Sequence, residues 1–295
     1  MAVYREVIEP PSDQSFRLLH WRESLAEVLL CEGPSTEVPI VGRGDHWHAH
    51  RPVELTFIQS GSGTRFIGDH IGSISPPELV LLGANLPHYW SGLKPSSGIA
   101  VQLSLSPKSV LSQLSEAKEL ASLWELSCRG LLFPRTTALR VGERLAAMLR
   151  ASPIKRLAIL LDILGELAME SSSAMLLCDQ VYALSPRGRH QDKVSHAIEI
   201  LLADFANELS VDDIATAVEL PAVTLSRYFR RYTGRSLIEF LNEVRIDQAR
   251  RMLVESDEPI GTIALAVGFG NLSHFNRQFR RKTGQSPREF RVTRG

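Results

Sequence analysis

The 295-residue sequence predicts a multidomain protein of α and β structure. A β-barrel over 1–106 is followed by a helical segment over 107–178, a linker over 179–191 and an all-α domain with two helix-turn-helix units over 192–295. Three observations predict this. Short strand-like runs fill the first hundred residues, helical periodicity replaces them after Pro107, and the last third of the chain repeats itself at a spacing of 49 to 50 residues.

The strand-like runs are 53–59, 64–67, 79–82 and 99–105, divided by turn signals such as Ser60-Gly61-Ser62-Gly63, Gly68-Asp69 and Pro76-Pro77. Several short strands at this spacing fit a barrel or sandwich. Candidate helices follow at 108–114, 137–150 and 153–170, the last opening with a proline where the missing N–H costs nothing. Two apolar stripes on these helices (Leu139, Leu145, Met148, Leu149; Leu157, Leu160, Leu161, Leu164, Leu167) exceed what one barrel face needs, although intramolecular packing accounts for part of each. The stretch 179–189, with Pro186-Arg187-Gly188-Arg189, has linker chemistry. A helix over 192–207 opens the last domain.

Composition excludes several classes. At 44% hydrophobic and 22% charged residues, the chain is neither disordered nor membrane-embedded in type. Its longest apolar stretch, 157–169, is broken by Asp162 and Glu166 and is too short for a bilayer. The N-terminus lacks the basic start and apolar run of a signal peptide, so a cytoplasmic protein is expected. Cys31, Cys128 and Cys178 show no metal-type spacing and read as free, buried thiols. Net charge is zero, but its distribution is uneven. Residues 190–219 carry one basic and seven acidic residues, 220–251 seven basic and three acidic, and 271–295 seven basic and one acidic. That is an electrostatic footprint for phosphates.

The positive charge falls on the repeat. Residues 211–240 and 260–290 align at Ile214/Ile263, Ala215/Ala264, Val218/Val267, Arg227/Arg277, Phe229/Phe279, Arg230/Arg280, Arg231/Arg281 and Gly234/Gly284, with one extra residue in the second turn. Each copy reads as a short helix, a turn and a second helix ending in Phe-Arg-Arg. Ser210 is the expected N-cap of the first copy, with Asp212 and Asp213 favouring the helix dipole. In the second helices Leu225, Phe229, Phe275 and Phe279 read as inward. Ser226, Arg227, Arg230 and Arg231 read as outward, as do Ser273, His274, Asn276, Arg277, Arg280 and Arg281. A helix over 236–253, about 27 Å long at ~1.5 Å per residue, joins the copies. It can set two reading helices about one DNA turn (~34 Å) apart.

These residues resemble the C-terminal signature of the AraC/XylS family of transcription regulators: Val267-Gly268-Phe269, Phe275 to Arg281, Thr283-Gly284-Gln285-Ser286-Pro287 and Phe290-Arg291. The resemblance covers about a hundred residues and implies a regulator that binds double-stranded DNA, not an enzyme. By position it implies base contacts from Val223, Ser226 and Arg227 and from Ser273, Asn276 and Arg277. Val223 offers only a methyl surface, suited to a thymine methyl. Arg230, Arg231, Arg280 and Arg281 read as phosphate contacts, which position without specifying. The resemblance also places a homodimer contact on the helices of the middle segment.

In the N-terminal part, Gly42-x5-His48-Ala49-His50-x3-Glu54-x6-Gly61 matches the spacing of the first cupin motif, and 76–88 resembles a degenerate second one. There Glu78 stands at the usual glycine and no Asn follows His88. The resemblance implies a cupin-like, effector-sensing domain, the effector being a small molecule such as a carbohydrate. On one strand His48, His50 and Glu54 share a face. With His88 they can hold a divalent metal (Zn, Ni, Fe or Mn), or they line a pocket and hydrogen-bond an effector directly. Trp47, Tyr89 and Trp90 can stack on a sugar ring or simply pack. His46 reads as a turn residue. Two other readings stay open: a metal-dependent cupin isomerase or dioxygenase fused to a DNA-binding domain, and a DNA-binding regulator with no small-molecule effector.

Overall fold

The computed structural model describes residues 4–5, 15–34, 36–42, 44, 47–93, 95–105, 113–179, 181 and 190–294. Residues 108–112 of the helix expected at 108–114, most of the linker at 179–191 and His46 lie outside them. The chain divides into two compact units. One comprises residues 4–70 and 74–185; the other runs from 186 to 295 and takes in 71–73.

Thirteen strands are present among the described residues: β1 (Tyr4–Arg5), β2 (Phe16–Trp21), β3 (Glu27–Gly33), β4 (Thr36–Val41), β5 (His48–Ala49), β6 (Val53–Ser60), β7 (Thr64–Ile67), β8 (His70–Ser73), β9 (Glu78–Leu82), β10 (His88–Ser91), β11 (Ser97–Leu103), β12 (Leu131–Leu132) and β13 (Met175–Leu176). One sheet has the order β1-β5-β10-β7-β8. The other has the order β13-β12-β9-β6-β11-β2-β3-β4. Where the sequence predicts a barrel, these strands make two open sheets that share a core. The larger sheet stops at β4, whose side chains are exposed or half-buried and whose Pro39 has no N–H to offer a further strand.

Alternation along the strands gives the larger sheet two apolar faces. Leu19, Trp21, Val28, Ile58, Val80 and Leu82 pack with Ile67 and Trp90 of the smaller sheet. Leu18, Val53, Leu55, Phe57, Leu79, Leu81, Ile99, Val101 and Leu103 face the opposite way. There they meet two helices, α2 (Arg135–Met148) and α3 (Pro153–Glu170), preceded by the short α1 (Ala121–Ser127). Leu145, Met148, Leu160, Leu164 and Leu167 of the predicted stripes are fully buried in this contact. Leu139 and Leu161 are exposed instead, because the buried face of α2 runs through the small residues Ala138 and Gly142. A Cβ on Gly142 would come within 2.3 Å of the Phe57 ring, so only glycine lets this helix lie so close. The buried Arg156 guanidinium donates to the carbonyls of Cys31, Gly33, Met148 and Leu149, joining the end of α2, the start of α3 and the β3–β4 corner.

The second unit is helical: α4 (Gln191–Ala203), α5 (Val211–Ala217), α6 (Ala222–Thr233), α7 (Leu237–Glu255), α8 (Ile260–Ala266), α9 (Leu272–Thr283) and α10 (Pro287–Arg294). Ser210 caps α5 and forms a capping box with Asp213. Ser236–Glu239 does the same at α7 and Ser286–Glu289 at α10. The α7 face of Leu237, Phe240, Leu241, Val244, Ala249 and Leu253 is buried throughout. Phe229 of α6 meets Phe240 edge-on at 5.5 Å, while Phe269, Phe275, Phe279 and Phe290 form a continuous aromatic stack around the second copy. No helix among the described residues is long and apolar enough to cross a membrane.

Candidate functional site

The two copies in the helical unit repeat bond by bond. At the α5–α6 turn, Leu220 N–H donates to Ala215 O and Glu219 N–H to Thr216 O. At the α8–α9 turn, Phe269 N–H donates to Ala264 O and Gly268 N–H to Leu265 O. The turning residue is left-handed in both, Glu219 at φ 53° and Gly268 at φ 90°. Each turn is also tied down from outside. Lys193 of α4 donates to the carbonyls of Val218 and Glu219 and pairs with the Glu219 carboxylate. Arg245 of α7 donates to Phe205 O and Asn207 O and lies over the Phe269 ring.

The reading helices end alike as well. Gly234 and Gly284 are left-handed and cap α6 and α9 through N–H bonds to Arg230 O and Arg280 O. Thr233 and Thr283 repeat the same hydroxyl bonds to the preceding turn. Burial of Leu225, Phe229 and Tyr232 on α6 fixes which residues face outward, as Phe275 and Phe279 do on α9.

Of the predicted base-contacting residues, Val223 and Arg227 on α6 are exposed, and so are Ser273, Asn276 and Arg277 on α9; Ser226 is half-buried. Arg227 lies over the Tyr228 ring at 5.1 Å. Arg230, Arg231, Arg280 and Arg281 are all exposed on the last turns. His274, expected outward, is half-buried. It bonds to Gln278 and lies edge-on to Phe269, a contact available because the second turn carries an aromatic at 269. Glu243 of α7 accepts from both Arg235 and Lys282 at 2.7 Å, linking the end of the first copy to the reading helix of the second.

In the N-terminal unit, β5, β6 and β10 bring the predicted quartet together. The rings of His48 and His88 have centroids 4.1 Å apart, His50 and His88 5.0 Å, and His48 and His50 5.6 Å. One ring nitrogen from each of these three buried histidines lies within 4.8 Å of the others. The carboxylate of Glu54 stands beside this set, held by His50 Nε2 at 3.0 Å, Gln102 Nε2 at 2.7 Å and the Thr56 hydroxyl at 2.5 Å. Burial works to raise the Glu54 pKa, yet the hydrogen bond and charge of His50, the charge of His88 and the Gln102 amide hold it well below the usual carboxylate range. Burial pushes His88 down to about 4, against the pull of Glu54.

His88 donates from Nδ1 to Leu86 O, which leaves a lone pair on a buried Nε2 that has no hydrogen-bond partner. Three convergent imidazoles with one such nitrogen fit a divalent ion. Gln102 and Thr56 were not foreseeable from motif spacing; Gln102 reaches Glu54 because the two are register partners across β11 and β6. A cavity of about 50 Å³ lies alongside, lined by His48, Glu54, Thr56 and Gln102 with Trp21 and Trp90. Trp47 is buried, and Tyr89 packs on Phe66 at 5.4 Å; neither is among the residues lining the cavity.

Two helix-turn-helix units on a shared helix, each with an arginine-rich outer face, define a double helix-turn-helix module. Residues 214–293 match the family model described as "Helix-turn-helix domain". The chain is 33% identical over 115 residues to the HTH-type transcriptional activator RhaS of Pectobacterium carotovorum subsp. carotovorum (strain PC1), covering 39% of this chain and 41% of that one. It is 31% identical over 93 residues to the bifunctional transcriptional activator/DNA repair enzyme AdaA of Bacillus subtilis (strain 168), covering 32% and 44%. A solved AraC-type regulator from Chromobacterium violaceum is 33% identical, with a TM-score of 0.34, over 35% of this chain and 92% of that one. The similarity to these transcriptional activators is confined to this C-terminal helix-turn-helix region. The chain spans about two fifths of the length of the curated relatives it matches.

Proposed function

We propose that the protein is a sequence-specific DNA-binding transcription regulator and, like RhaS by its printed name, an activator. The observation that carries this is the duplicated reading helix: two outward faces bearing Arg227 and Arg277 at matched positions, on turns held by the same backbone bonds. Val223, Ser226, Arg227, Ser273, Asn276 and Arg277 face the bases in this reading. Arg230, Arg231, Arg280 and Arg281 face phosphates. DNase footprinting on sites selected from random DNA tests it. Two protected patches about one turn (~34 Å) apart are expected, and protection of any sequence alike at physiological salt would overturn it.

The N-terminal unit serves in this proposal as a cupin-like sensor, with α2 and α3 as the homodimer contact. His48, His50, His88 and Glu54 hold a divalent ion (Zn, Ni, Fe or Mn) or bond an effector directly. The polar wall of His48, Glu54, Thr56 and Gln102, with Trp90 beside it, suits a hydroxylated molecule such as a carbohydrate. The present cavity of about 50 Å³ is well short of the ~300 Å³ of ordinary ligand pockets, so a sugar enters only if the pocket opens. Thermal-shift measurements with sugars, with and without metal, test this. The partnerless His88 Nε2 is what favours the second reading, a metal-dependent enzyme. Turnover by metal-loaded protein, lost on His88→Ala, would establish that reading.

A further inference from the structure

A second cluster of metal-type side chains lies at the β4 edge of the larger sheet, away from the histidine set. His20 on β2 stands opposite Leu29 of β3, which makes Cys31, two residues on, its diagonal neighbour across the strands. Cys31 in turn stands directly opposite Glu37 on β4. One donor atom from each of the three lies within 4.8 Å of the others, and His20 Nε2 is already 3.0 Å from Glu37 Oε1. Cys31 packs with the apolar face that meets α2 and α3, whereas Glu54 and His48 border the cavity on the other face with Leu19 and Trp21. His20 and Cys31 are buried, while the Glu37 side chain is 41% exposed, so an ion can enter from the sheet edge.

We propose that His20, Cys31 and Glu37 form a three-ligand site for a divalent transition metal of the zinc type. Imidazole, thiolate and carboxylate are the donor set that Zn²⁺ takes in tetrahedral sites, at about 2.0–2.3 Å, and three protein ligands leave the fourth position to water. Ligand atoms around such an ion sit roughly 3.5 Å apart. The His20–Glu37 pair is within that spacing, and the thiol, within 4.8 Å of both, needs to shift by at most about 1.3 Å. Without metal, burial and the Glu37 carboxylate push the Cys31 thiol up to about 11, with Arg156 drawing it back, so the sulfur carries its proton. Binding is then an exchange: the metal–sulfur bond forms as the S–H bond breaks and that proton leaves to solvent, while the proton between His20 Nε2 and Glu37 is displaced, to Nδ1 of the same ring or to solvent, and the dication takes its place. Arg156 stays outside the site, its N–H groups occupied by four carbonyls.

Cobalt(II) reads out the site because thiolate coordination gives a near-ultraviolet charge-transfer band. The full chain, freed of metal by chelator, is titrated with Co²⁺ and then with Zn²⁺ as competitor. The expected result is a charge-transfer band whose final intensity corresponds to one thiolate-bound ion per chain, which is bleached by Zn²⁺ and disappears in Cys31→Ser. Glu37→Gln and His20→Ala should each weaken binding by more than about 100-fold, beyond what loss of an outer-shell partner costs. The exposed Glu37 makes the first of these safe for folding. The histidine set has no thiol among its members, so an ion held there adds no such band. Absence of the band in wild-type protein would overturn the proposal. So would its persistence in Cys31→Ser, which would assign it to Cys128 or Cys178, or its insensitivity to Glu37→Gln.

Discussion

The Glu54 carboxylate lies 3.0 Å from Nε2 of His50, and the other nitrogen of that ring lies 2.9 Å from the carbonyl oxygen of Pro52. Both ring nitrogens therefore face acceptors. A neutral imidazole has one N–H and satisfies one of the two, whereas a second ring proton or a metal ion at Nε2 satisfies both. Either way the pair is a buried charge arrangement whose members depend on each other.

Removing one member should be costly. His50→Ala leaves Glu54 in the interior with only Thr56 and Gln102, and the expected loss is about 3–5 kcal/mol of stability in the N-terminal unit. Urea unfolding followed by tryptophan fluorescence measures it, since Trp21 and Trp90 border the site. A loss below ~1 kcal/mol would show that the carboxylate does not rely on His50.

Acid should act first through His88. Its folded pKa of about 4 lies below the ordinary ~6.5. The unfolded chain therefore takes up the proton first, and stability, intact above pH 6.5, falls as pH drops toward 4 and levels below it. The loss attributable to His88 is about 3 kcal/mol. Glu54 is also depressed and acts in the same direction, but only below its unfolded value of ~4.3. In chelator-treated protein, His88→Gln should flatten the curve between pH 6.5 and 4.5. An unchanged slope would rule the assignment out.

The helical unit was legible because its signals are local and doubled: Ser210, Gly234, Gly284 and the Phe-Arg-Arg ends each act on neighbouring backbone. The histidine–glutamate site of the N-terminal unit was legible only in part. His48, His50, Glu54 and His88 have motif spacing, but Gln102 joins Glu54 through strand register, which spacing along the chain does not encode. Strand β2 escaped notice because Phe16–Trp21 is buried on both sides, Arg17 and His20 included, so it shows no alternation. On α2, helix amphipathicity suggested Leu139, but close approach to Phe57 selects Ala138 and Gly142.

The two turns differ in one residue that substitution can exchange. A Cβ at Gly268 would fall 2.8 Å from the carbonyl oxygens of Phe205 and Ala206 at a φ of +90°. Gly268→Ala should therefore cost about 2–3 kcal/mol, with strain and clash acting together. At Glu219, already left-handed, the reverse change to glycine relieves ~1 kcal/mol of backbone strain. It also adds ~0.5–1 kcal/mol of unfolded-state entropy and removes an exposed ion pair with Lys193 worth little. Glu219→Gly should be near neutral. Thermal unfolding of the two variants tests the asymmetry, and equal effects would contradict the geometry.

On DNA the arginines should separate by position along each reading helix. Arg227 and Arg277 sit in the middle of their helices, about one turn before the terminal arginine pairs, on the outward faces, where a guanidinium reaches a base edge. Each change to alanine should weaken specific binding by about 1–3 kcal/mol. Each should relax sequence preference in a different half of the site, because the two lie on different helices. Arg230, Arg231, Arg280 and Arg281 occupy the last turns, and alanine at any one should weaken binding to all sequences alike. Each should also lower the dependence of log K on log salt by about 1, through one fewer released counterion. Binding measured across a salt series on the selected site and on single-base variants distinguishes the two groups. If Arg227→Ala and Arg277→Ala altered preference at the same base pairs, the two helices would not be reading separate half-sites and the double-reader proposal would fall.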